Sequence, residues 1–117
     1  MKNEPRRLIL WANDSPLHAM ESVNEHLIAE IEAHLREAEE DSCFLNDVIA
    51  YLRCLTGVCD WAGSACVQRP MVESWRKSSM DIFDRMPDSQ FDSQAERTED
   101  RQFIAEVFED LVKIVAG

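Results

Sequence analysis

Four cysteines and three histidines are the side chains here that could hold a metal ion or act as nucleophiles. Cys43, Cys54, Cys59 and Cys66 lack the close Cys-x-x-Cys pairs with which structural zinc sites are built. On a single helix Cys59 and Cys66 share an apolar seam while Cys43 and Cys54 lie on another face, so the four do not converge. His18, His26 and His34 follow one another at intervals of eight. Eight residues turn a helix about 80° past whole turns, which fans the imidazoles around the axis instead of aiming them at one ion. His34 falls at an apolar edge and is expected simply to pack there. There is no Gly-x-Ser-x-Gly elbow and no glycine-rich phosphate loop. The acidic pairs fall on solvated helical positions, without the burial or partner that would tune a carboxyl for proton transfer. No catalytic residue, metal ligand or cofactor is expected, and the chain reads as a non-enzyme.

Its carboxylates carry more information as an array. Glu21, Glu25, Glu32 and Glu39 are separated by 4, 7 and 7 residues. On a helix that spacing confines them to a narrow band, roughly 6–10 Å apart along the axis. Glu30 and Glu37 form a second row, and Arg36 is the nearby counter-charge, spaced i,i+4 from Glu32 and Glu40. Near the C-terminus, Glu99, Glu106, Glu109 and Asp110 repeat the theme opposite an apolar face. Like charges at i,i+4 cost a few tenths of a kcal/mol each, and solvated faces usually mix signs to avoid this. Such rows are either bare solvated faces or a docking surface for a basic partner, with carboxylates standing in for the phosphates of a nucleic acid.

The net charge of −11 is distributed unevenly. Residues 1–13 have three bases and one acid; residues 14–47 have ten acids and one base. Residues 48–87 are nearly balanced, with four acids and five bases, and residues 88–117 hold eight acids and three bases. Direct binding to nucleic acid phosphates or to an anionic membrane is disfavoured by such a field. No apolar run approaches the roughly 20 residues needed to cross a bilayer. Lys2, Arg6 and Arg7 precede only five apolar residues, Leu8 to Ala12, too few for a cleavable export signal. A cytoplasmic protein with reduced cysteines is the expectation.

The elements that must position these residues follow from apolar period. At 117 residues the chain fits one domain,. Residues 1–13 form an arm or a short helix. Ser15-Pro16 then caps a helix with an apolar stripe from Leu17 to Ala38, ending near Glu40. Asp41-Ser42 breaks the chain and caps a second helix from about Cys43 to Val67. Leu45, Val48, Leu52, Leu55, Cys59, Ala62 and Cys66 recur there at 3 and 4, a heptad seam that passes Gly57 and Gly63. Arg69-Pro70 starts a third helix, with Trp75, Phe83 and Met86 among its apolar residues, closed by Pro87. Ser93 to Glu96 reads as a capping box for a fourth, whose apolar face runs from Phe103 to Val115. Trp11, Trp61 and Phe91 lie off the seams and could extend an exposed patch.

The predicted fold is all-α: a bundle of four helices, five with a short N-terminal one, with antiparallel neighbours and short connections. The predicted function is binding of a protein partner with a basic surface, through Glu21, Glu25, Glu32, Glu39, Glu99, Glu106, Glu109 and Asp110. In size, acidity and helix content the chain is similar to small acidic helical inhibitors of nucleic-acid-binding machinery, phage-encoded inhibitors of host defence included. It is also similar to acidic secretion chaperones. Both likenesses are of composition and carry no residue across. The alternative is an adaptor or chaperone that works by apolar helix packing and homodimerises through the 45–66 seam.

Overall fold

Each apolar period in the sequence becomes a helix in the computed structural model. The structure describes residues 16–62 and 67–115, with side chains described over 23–61 and 67–115. The segment 1–13, the Ser15 cap, Gly63, Cys66 and the side chains of His18, Glu21 and Ala62 therefore lie outside the described residues. Four α-helices follow: α1 (Pro16–Ala38), α2 (Leu45–Ala62), α3 (Arg69–Asp84) and α4 (Gln94–Val115). No strand occurs among the described residues, and the fold is an all-α helical bundle.

Helix ends are set by local chemistry. After Ala38 the chain unwinds, with the amides of Glu40 and Asp41 both bonding Glu37 O. The Asp41 carboxylate accepts from the Cys43 amide at 3.0 Å and caps a 3-10 turn, Ser42–Phe44, that feeds α2,. Gly57 does not interrupt α2, but the described helix stops at Ala62, short of the expected Val67. Val67 lies in the bend before α3 and is buried. Pro70 occupies the first turn of α3, where its missing N–H removes nothing,. Ser93 Oγ accepts from the Glu96 amide at 3.1 Å, the forward half of a capping box,. The return bond reaches the Asp92 amide at 2.9 Å, one residue earlier than the reciprocal pattern has it.

Short links make α1–α2 and α3–α4 antiparallel hairpins. α2 packs beside α4, and α1 beside α3, with each of these pairs running in the same sense. The acidic helices α1 and α4 thus occupy opposite corners and share no extensive contact. Ile31, Val48, Leu52, Leu55, Val72, Phe108 and Leu111 are fully or almost fully buried between them. Removing such side chains from water contributes about 1.5–3 kcal/mol each.

The α2 seam is consumed by this core. Leu45, Val48, Leu52, Leu55 and Cys59 are all buried within the bundle, so a second copy could reach them only if the bundle opened. Ser42–Trp61 also turns out to be long and apolar enough, by length and composition, to cross a membrane. Its apolar residues are interleaved with polar ones in the sequence instead of forming a run. In the bundle about a third of the stretch is buried, Leu45, Val48, Leu52, Leu55 and Cys59 among it, while Cys54 and Trp61 are exposed.

Arg97 locks the second hairpin. Its guanidinium donates to Met86 O at 2.7 Å, Asp84 O at 3.2 Å and Phe83 O at 3.4 Å. These are carbonyls at and just past the C-terminal end of α3, where negative partial charge concentrates; Phe83 O also accepts from the Met86 amide at 3.0 Å,. The same group pairs with Asp88 at 3.1 Å and lies over the rings of Phe83 and Phe91. Phe91 packs on Phe83 with ring centroids 5.4 Å apart, so it belongs to the core margin and not to an open patch.

Candidate functional site

The eight nominated acids are split between opposite corners of the bundle. On α1, Glu25 is exposed and Glu32 half-buried, while Glu21 has no described side chain. Glu39 is bound by Arg85, the guanidinium standing 2.7 Å from its carboxylate, which ties the end of α1 to the end of α3. Glu32 lies in a shallow cleft between α1 and α3 with Arg36, Leu35 and Trp75. Acid and base are balanced there. Glu30, in the second row, lies between His26 and His34. His34 itself is packed as its position suggests, its Nδ1 2.7 Å from Glu30 O and its ring against Phe44 and Tyr51.

On α4 the four acids Glu99, Glu106, Glu109 and Asp110 are all exposed. None of them has a cation within ion-pair distance among the described residues; Glu106 accepts only from Gln102, at 3.2 Å. The cations are spent elsewhere, mostly on α3 and its flanks. Arg69 and Arg76 pair with Glu73, Lys77 with Asp81, Arg85 with Glu39 and Arg97 with Asp88. Arg101 grips Asp84 with two bonds, of 2.9 and 3.2 Å. That fork holds the Asp84 carboxyl below its ordinary range and raises the Arg101 guanidinium further,.

Two cavities that meet at Phe103 lie along α2 and α4 and together form a two-lobed cleft, the first lobe closed also by Phe83, Met86, Gln90 and Phe91 from the end of α3 and the turn after it. The first lobe, about 440 Å³, has a floor that includes Ile49, Phe83 and Ile104, with Asn46 and Asp100 among its polar groups. The second, about 580 Å³, opens over Gly57 and Val107 and carries Asp60, Glu106 and Asp110. Phe103 lines both and forms the ridge between them. It was expected on the apolar face of α4 and is instead 45% exposed, because its position lies at the flank of the stripe that Ile104, Val107, Phe108 and Leu111 bury. Arg53 stands 5.9 Å above its ring,. Trp61, next to Asp60 at the end of α2, is 76% exposed. Along the cleft, four carboxylates (Asp60, Asp100, Glu106, Asp110) face two cations, Arg53 and Lys113.

The cysteines differ from the expectation in one respect. Cys43 and Cys54 are free and exposed. Cys59, fully buried on the seam, is disulfide-bonded, with its partner outside the described residues. The expectation that every thiol is reduced is therefore corrected, since burial on a seam does not prevent pairing with a thiol nearby in space. Cys43 is a poor nucleophile: hydrogen bonding to Asp41, and the charge of that carboxylate, push its thiol above the ordinary range,. No cluster of three His, Cys, Asp or Glu side chains suited to a metal occurs among the described residues.

The geometry can therefore offer an acidic, partly apolar surface, and no assembled set of reacting groups is evident among the described residues. No family model, no curated protein and no solved structure matches this chain.

Proposed function

We propose that the protein is a non-enzymatic binding protein that presents an acidic helix face to a basic partner surface, as an inhibitor or mimic of nucleic acid does. One observation carries the reading. The cations of α3 and its flanks are held in internal pairs, while Glu99, Glu106, Glu109 and Asp110 on α4 stand open to solvent without one. A face of one sign raises the local concentration of oppositely charged partners and speeds their encounter, in a manner that salt screens. Preference between the nominated rows goes to α4, because Glu39, in the turn that follows α1, is already paired with Arg85. A cytoplasmic setting belongs to the same reading, and the disulfide at Cys59 is the observation that opposes it,.

Capture from a native lysate on the immobilised protein, with elution along a salt gradient, tests this. The reading expects basic proteins that release with salt and that are lost when Glu99, Glu106, Glu109 and Asp110 are changed to Gln. Retention that ignores both salt and those changes would contradict it. The adaptor reading is disfavoured, since the seam it needs is interior.

A further inference from the structure

We propose that the α2–α4 cleft is a groove for a cationic amphipathic helix of a partner protein. The inference rests on the reading of the chain as an acidic binding protein and specifies where, and in what form, the partner sits. From Asp100 to Ile114 the groove follows α4 over 14 residue steps, roughly 21 Å at the α-helical rise of 1.5 Å per residue,. That length accepts about four turns of helix. An apolar side chain of the partner enters the lobe over Ile49, Phe83 and Ile104. Another, about two turns further along, lies over Gly57 and Val107, with the exposed Phe103 ring between the two,. Burying Phe103, which lines both lobes, would remove from water one of the two large apolar side chains that stand exposed among the described residues,.

Charge selects the occupant. Asp100, Glu106, Asp110 and Asp60 lie along the cleft, and Arg53 and Lys113 offset only part of them. The remaining excess favours Lys or Arg on the flanks of the entering helix and disfavours an acidic one. The cleft between α1 and α3 has no such excess, because Glu32 is matched there by Arg36. Gly57 adds a second reason to place a helix over this surface. A Cβ built there meets nothing within 4 Å, so the floor of the second lobe is open along the backbone of α2 and the partner can approach closely,.

The test uses the full chain and two fluorescein-labelled 14-residue peptides of leucine and lysine. One has leucine at helical i, i+3, i+4, i+7 spacing, and the other is a scramble of the same composition. A Cβ at Gly57 meets open space, so Gly57→Trp places its bulk in the second lobe, and replacing glycine within a helix favours folding,. A thermal melt verifies that this variant and the charge reversals are folded. The patterned peptide is expected to bind, and the scramble to bind about tenfold more weakly. Gly57→Trp and the pair Glu106→Lys/Asp110→Lys should each cost about tenfold, while Glu25→Lys/Glu32→Lys changes affinity by less than about twofold.

Equal binding of both peptides, screened by salt and indifferent to Gly57→Trp, would overturn the groove and leave the acidic-surface reading standing. No binding of either peptide at low salt would overturn both. A concentration-dependent dimer lost in Gly57→Trp would give the groove to a second copy and overturn the partner assignment. Binding about tenfold tighter in Arg6→Glu/Arg7→Glu would give it to the chain's own N-terminal segment, with the same consequence.

Discussion

Just past α1, Glu39 is held by Arg85, and on α1 Glu32 lines a cleft with Arg36, whereas on α4 Glu106 and Asp110 line a partly apolar cleft with no cation in ion-pair contact among the described residues. The two rows look alike as spacing along a helix. They differ because α1 packs beside α3, which carries arginines, and α4 packs beside α2, whose outward positions offer only Arg53. An acidic row becomes a usable surface only where the neighbouring helix leaves its charge unmatched. What a row is for is thus decided by the helix next to it.

The arginines that hold the two sides give the largest test of this contrast. Arg97→Ala should destabilise the fold by about 2–3 kcal/mol, since it leaves carbonyls at the end of α3 without a donor and strips a cation from two rings,. Arg85→Ala, removing an exposed pair with Glu39, should cost well under about 1 kcal/mol,. Chemical denaturation of both variants separates them, and equal losses would mean that the α1–α3 side is held as firmly as the α3–α4 hairpin. Next in size is Ser79→Ala. Ser79 Oγ is buried on α3 with no hydrogen-bond partner among the described residues, so its removal should raise stability by about 1 kcal/mol in the same assay,.

Charge reversal sharpens the comparison directly, because the two rows should answer with opposite signs. Glu106→Lys relieves repulsion with Asp110 at i,i+4 and should stabilise by a few tenths of a kcal/mol. Glu39→Lys breaks the Arg85 pair and places like charges together, so it should destabilise by a similar amount,. Melting curves at low salt show both, and high salt should shrink both.

The smallest effect concerns pH. Asp84 is held low by the Arg101 fork, so its contribution is present above the ordinary value of 3.8 and is lost as pH falls through the depressed folded value,. With both side chains about half exposed, solvent screening limits it to about 0.5 kcal/mol,. Asp84→Asn should therefore lower the melting temperature slightly at neutral pH, and the gap should close below pH 3.8. A gap that persists at pH 2 would assign the loss to hydrogen bonding and not to charge.

Helix positions, the Asp41 and Ser93 caps and most of the core were legible because burial repeats at the helical period and caps have chemical signatures. The α2 seam was legible as a pattern but not as an interior, since a heptad stripe looks the same whether it meets its own bundle or another copy. Phe103 was misplaced for a related reason: a residue at the flank of a stripe is buried or open according to how closely the adjacent helix approaches. Which acids keep a free charge was not legible at all. Arg85 lies 46 residues from Glu39, and Arg101 lies 17 from Asp84, distances over which spacing says nothing. The two-lobed cleft was hidden likewise, because it exists only where α2 and α4 run side by side.

Hydrogen–deuterium exchange of the full chain, with and without the patterned leucine–lysine peptide, tests the central claim most directly. The account predicts slower exchange along residues 46–60 of α2 and 100–114 of α4, with residues 25–39 of α1 unchanged. Protection centred on α1 and absent from α4 would contradict it.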